Sequence, residues 1–132
     1  MKKKNFLFQF VTLLVLLIFY SCKTVEKSSV KNCHSEKIKF DISKLDDKGL
    51  LGNENGKVSV DYEFCIPNNQ VYLAEVLAID LTLKNVPSTG KSKCGADSFL
   101  IMGNTFHSDF RLILCKIANL DYVKEINQTH WE

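Results

Sequence analysis

Five cysteines, three histidines and two carboxylates spaced two apart are the residues of this chain that invite chemistry. Zinc would call on a set such as Cys33, His34, Cys94 and His107. No C-x-x-C or H-x-x-x-H pair exists to nucleate such a site, so no metal and no other cofactor is expected. A Cys–His nucleophile needs the two side chains adjacent in space, which spacing alone does not supply. His107 flanks a helix start in "GNTFHSDFR" and reads as a surface or capping residue. Asp61 and Glu63 share one face of a strand, where they suit acid–base work or a cation. A solvated sheet face accounts for them more simply. Gly103 ahead of a helix suits an anion cradle, although a tight turn explains a single glycine. His130–Trp131 reads either as an exposed anchor for a partner or, the simpler expectation, as a Trp closing the core.

The fifth cysteine, Cys22, belongs to a different segment. Lys2, Lys3 and Lys4 precede an apolar run from Phe6 to Tyr20 that only Gln9 and Thr12 interrupt, and Ser21 and Cys22 follow. The run is short of the roughly 20 apolar residues a permanent span needs. A basic start, a short apolar stretch and a small residue describe a secretory signal. A cysteine behind that small residue resembles the lipobox of bacterial lipoprotein signals, and the resemblance covers residues 1–22. It implies a signal peptide over 1–21, diacylglycerol on the Cys22 thiol and Cys22 as the new first residue. Phe19 and Tyr20 are bulkier than the residues usual before the Ser–Cys pair; the competing readings are an uncleaved signal anchor, or a signal cut near Ser21 that leaves Cys22 a plain thiol. Loss of Lys2, Lys3 and Lys4 turns 17 basic residues into 14 against 15 acidic, a net charge of −1. Without a basic cluster there is no footprint for nucleic acid, and membrane attachment rests on the lipid.

Residues 22–36 are polar and read as a flexible tether, which at about 5–6 Å × √n holds a domain roughly 20 Å from the membrane. Residues 37–132 form one domain. "KIKFDIS" reads as a short edge strand, followed by a glycine-rich connection. Val58, Val60, Tyr62, Phe64 and Ile66 alternate with polar residues and Cys65, a half-buried strand that Pro67 ends. Asn69 caps a helix to about Ile79 in which Leu73, Val76 and Leu77 face the core; Val71, Leu73, Leu77 and Ile79 also alternate, so a long strand is the competing reading. A strand across Leu81–Val86, a loop over residues 87–95 and a central strand in "SFLIMGN" come next. Ser108 caps a second helix with a Phe110, Ile113, Leu114, Ile117 stripe, and a last strand holds Val123 and Ile126. From Val58 onward this order is βαββαβ, so the expected fold is an α+β, ferredoxin-like sandwich with both helices on one face of an antiparallel sheet.

With Cys22 set aside, four cysteines allow three disulfide pairings. Cys115 lies beside the second helix's apolar stripe and reads as a small buried hydrophobe. Cys65 ends a strand on the open face and Cys94 precedes its neighbour, so Cys65–Cys94 is the expected bond.

Residues 40–132 resemble a small family of uncharacterised bacterial proteins, through "YEFCIP", "AEVLAID", "KCG" before an apolar strand, "GNT" ahead of a helix with "FR", and "LDYVKEI". The resemblance implies no activity, cofactor or catalytic residue, and it places Cys65 and Cys94 in a common pattern. Leu81 stands where a proline is expected after "AID".

These readings describe a protein of the bacterial cell envelope, membrane-anchored through lipid and facing the periplasm or the surface. A compact tethered domain without a catalytic signature points to a binding or interaction module of the inhibitor or immunity type, with a protein partner. Its expected contact surface is the open sheet face around Asp61, Glu63 and Cys65. The alternative is a small envelope enzyme with a Cys/His or thiol-redox site.

Overall fold

Pro67 and Asn69 set the turn from the first long strand into the first α-helix. In the computed structural model, which describes residues 32–87 and 94–131, strand β3 (Asp61–Pro67) stops at the proline. Helix α1 (Gln70–Ile79) then starts with the Asn69 side chain accepting from the Val71 and Tyr72 N–H groups. β4 (Lys84–Val86), β5 (Ser98–Asn104), α2 (Phe110–Ala118) and β6 (Ile126–Gln128) follow. The sheet order is β4-β5-β3-β6, every pairing antiparallel. That is the ferredoxin-like βαββαβ arrangement, with the two seven-residue strands at the centre. An additional hairpin, β1 (Leu50–Asn53) with β2 (Gly56–Ser59), precedes it.

The register sorts the side chains. Tyr62, Phe64 and Ile66 lie opposite Gly103, Ile101 and Phe99, and they join the core with Val76 of α1 and Phe110, Ile113, Leu114 and Ile117 of α2. The α2 residues recur at i, i+3, i+4 and i+7, one stripe of a helix. Asp61, Glu63 and Cys65 fall on the other face beside Asn104, Met102 and Leu100.

Several local expectations change. The strand read across Leu81–Val86 shortens to Lys84–Val86, with Leu81 exposed in a turn. The strand read from Val58 is split: Val58 and Ser59 belong to the hairpin, and Val58 is exposed. Gly103 sits inside β5, where a Cβ would strike the Tyr62 ring and hydroxyl; packing accounts for it, neither a turn nor an anion cradle. Asp109 occupies the α2 N-cap in place of Ser108, and its carboxylate makes no capping hydrogen bond. "KIKFDIS" contributes a single parallel bridge, Ile38 to Ile126, between short 3₁₀ turns at Ser35–Lys37 and Ile42–Lys44.

Residues 32–36, read as the end of a tether, lie against the end of α2. Asn119 binds them twice, accepting from the His34 N–H at 3.0 Å and donating to the Asn32 carbonyl at 2.9 Å. Cys33 is disulfide-bonded to Cys115 with their Cα atoms 5.2 Å apart, so Cys115 is buried as half of a cross-link, not as a free apolar side chain. No helix among the described residues is long and apolar enough to cross a membrane.

Candidate functional site

The open face of the sheet carries the polar residues that β3 projects away from the helices. Asp61 is the node. Its carboxylate accepts from the Asn104 side-chain amide on one oxygen and from the Trp131 indole Nε1 on the other, the latter at 2.8 Å. Asn104 also donates to Ser59 Oγ at 3.0 Å and accepts from the Phe106 N–H at 2.8 Å. Two residues along, Glu63 accepts from Thr129 Oγ1 at 3.3 Å. The strand order explains the grouping. β3 lies between β5 and β6, so Asn104 reaches Asp61 from one side and Thr129 and Trp131 arrive from the other; the Thr129 N–H donates to the Asp61 carbonyl at 2.8 Å.

Trp131 therefore does not close the core. It is 72% exposed, with its one polar atom satisfied by Asp61. A groove of about 940 Å³ opens beside it, within the range of small-ligand sites. Val86, Leu100 and Met102 supply apolar surface, and Glu63, Asn127 and Thr129 supply polar groups. A second hollow, of about 420 Å³, borders Glu63 and the Cys65–Cys94 bond.

Cys65 and Cys94, the pair chosen from the sequence, are disulfide-bonded with Cα atoms 5.5 Å apart. The bond holds residue 94 to the open face next to Leu100, which is buried although it faces away from the helices. Cys22 and residues 88–93 of the expected loop lie outside the described residues. The zinc set does not assemble: Cys33 and Cys94 are in different disulfides, His34 pairs with Glu36 at 2.8 Å, and His107 lies elsewhere. No group of three metal-ligating side chains occurs among the described residues. With Cys33, Cys65, Cys94 and Cys115 all bonded, none of the four presents a thiol beside a histidine.

His107 faces Asp80 at the other end of α1. Its Nε2 lies 3.3 Å from Asp80 Oδ2, close enough for an ion pair though poorly aligned for a hydrogen bond. Burial works to raise the Asp80 pKa, but hydrogen bonds from the Thr82 hydroxyl and N–H, with His107 beside it, hold it below the usual carboxylate value. Burial, and then the charge of Asp80, push the Tyr62 phenol well above its ordinary range. The Tyr62 hydroxyl has no hydrogen-bond partner among the described residues. A His–Asp pair near a tyrosine has the parts of a general base. Neither hollow on the sheet face is lined by Asp80, His107 or Tyr62; the Asp80–His107 contact joins the end of α1 to the β5–α2 connection.

The sequence reading omitted Asn104, Thr129 and the Asp80–His107 pair. Asn104 had a legible signal, since its alternation within "SFLIMGN" puts it on the face of Leu100 and Met102. Thr129 and Asp80 had none, because their roles depend on strands and loops brought together from elsewhere in the chain. No family model, no curated protein and no solved structure matches this chain.

Proposed function

We propose that the chain is a lipid-anchored protein of the bacterial envelope whose single domain is a binding module, holding a partner rather than converting a substrate. The observation that supports it is the open sheet face. Asp61, held by Asn104, fixes an exposed tryptophan at the edge of a groove, the Glu63–Thr129 pair lies beside it, and aromatic side chains of this kind dominate binding surfaces. Cleavage at Cys22 and acylation of its thiol would carry this face into the envelope on the segment ahead of Asn32.

Retention of the detergent-purified chain on detergent-washed envelopes tests the module. With the lipid removed, acyl anchoring contributes nothing. Glu63→Lys should lower retention, while Lys48→Glu, on an exposed residue of the Asp46–Gly49 turn, should not. Equal retention of both variants would rule out the open face. For the anchor, intact mass should show loss of residues 1–21 and acyl addition, both abolished by Cys22→Ala. An unmodified chain that still begins at Met1 overturns it.

A further inference from the structure

We infer that the groove beside Trp131 is a subsite for an uncharged oligosaccharide, with the indole as the platform on which one sugar ring stacks. The inference rests on the binding-module reading and names the ligand class for the same face.

Four observations select this chemistry. The first is charge. Among the groove's lining, Lys39 and Lys44 are balanced by Asp41 and Glu63, and Lys44 already lies 3.7 Å from Asp41. A groove with no net charge offers neither a phosphate nor a polycation the field that would concentrate it. The second is the backbone. The floor is the face of a sheet in which β3 and β5 pair with each other along their length, with β6 and β4 covering their outer sides at Tyr62–Phe64 and Leu100–Met102. An extended peptide is held by backbone bonds to a free strand edge, and this floor presents side chains.

The third observation is the ring. Trp131 lines the groove, is 72% exposed, and has its indole N–H tied to Asp61 at 2.8 Å. Asp61 is in turn held by Asn104. The ring is thus positioned before any ligand arrives, with its faces largely uncovered. An aromatic face carries the negative part of the ring quadrupole, and the axial C–H groups on one face of a pyranose present a flat, weakly positive apolar surface to it. The fourth is the polar lining next to the ring. Glu63 offers acceptor oxygens, Asn127 offers an amide that both donates and accepts, and Thr129 offers a hydroxyl. Vicinal sugar hydroxyls, each donor and acceptor, match that mixture.

Trp131 is the chain's one tryptophan, so its emission reports this site alone. The full chain, in a detergent without a sugar headgroup, is titrated with the tetramers of β-1,4-linked N-acetylglucosamine, β-1,4-linked glucose and α-1,4-linked glucose. At least one should give a saturable change in emission below about 10 mM, a range appropriate to weak recognition. By calorimetry, Trp131→Ala should weaken that binding about tenfold or more, and Trp131→Tyr, which keeps a stacking face, should stay within about tenfold of the parent. Glu63→Gln should weaken it several-fold while leaving the fold, read by circular dichroism, unchanged.

No saturable response to any tetramer, or binding indifferent to Trp131→Ala, overturns the inference. If Glu63-dependent retention on envelopes then persists and is lost after protease treatment of the envelopes, the binding-module reading stands and the occupant is a protein. If retention is independent of Glu63, that reading has failed by its own measurement.

Discussion

Replacing Thr105 with valine exchanges one hydroxyl for a methyl of nearly the same size and leaves two backbone groups without partners. Thr105 is fully buried between the hairpin and the end of β5. Its Oγ1 donates to the Gly49 carbonyl at 2.6 Å and accepts from the Val60 N–H at 3.0 Å, while its own N–H donates to the Val60 carbonyl at 3.0 Å. Valine preserves the shape and the last of these bonds. It strands a buried acceptor and a buried donor, each costing about 1–3 kcal/mol when left unpaired. The expected loss is about 3 kcal/mol. Serine keeps the oxygen and gives up a single methyl, about 1 kcal/mol. With a urea dependence of about 1–3 kcal/mol per molar for a domain of this size, the valine variant should unfold about 1.5 M earlier than the parent. Urea titration followed by far-ultraviolet circular dichroism, with the disulfides kept oxidised, measures both variants. If Thr105→Val is no less stable than Thr105→Ser, the hydroxyl is not what joins the hairpin to the sheet.

Three further outcomes are expected. Gly49 has φ of +76° and a Cβ there would collide with the Thr105 carbonyl, so Gly49→Ala should cost at least about 2 kcal/mol from backbone conformation and the clash together, visible in the same titration. Removing the Cys33–Cys115 bond, which closes a separation of 82 residues, by the double change to serine should cost about 4 kcal/mol in thermal or urea unfolding on loop-entropy grounds. Asp46 accepts from the Lys57 ammonium and from the Leu50 and Lys48 N–H groups, which lower its pKa from 3.8 to about 2. A depressed folded-state pKa stabilises the fold above the unfolded value, and that contribution is lost as pH falls from about 4 through about 2. Asp46→Asn should therefore flatten the acid limb of the stability–pH curve across that window, and an unchanged limb would count against the Asp46 contacts.

The path from sequence to fold was short wherever the controlling contacts are local. The alternation from Val60 to Ile66, the Asn69 cap and the Phe110–Ile117 stripe each lie within a few residues, and each appears in the structure as an element facing the expected way. Their βαββαβ order constrains the sheet strongly, because short connections leave the two long strands at its centre. The two-carboxylate face around Asp61 and Glu63 was legible for the same reason: a strand's period of two needs no tertiary information.

Apart from the Cys65–Cys94 bond, what lay beyond the sequence depends on two distant segments meeting. Hydropathy sends a lone tryptophan inward, and only the β3–β6 ladder, by setting Asp61 within reach of the indole N–H, supplies the partner that holds Trp131 at the surface. Nothing near Cys115 distinguishes a buried thiol from half of a disulfide until α2 packs and carries it to Cys33. Val58 continues an alternating pattern that the chain abandons at Ser59, because pairing with Leu51 in the hairpin competes with the sheet and wins. Residue patterns thus determined the elements and the polarity of their faces, which short-range sterics and burial control. The network around Trp131, the second cross-link and the groove were decided by tertiary packing, since each is made of side chains that only the folded sheet brings within hydrogen-bonding distance.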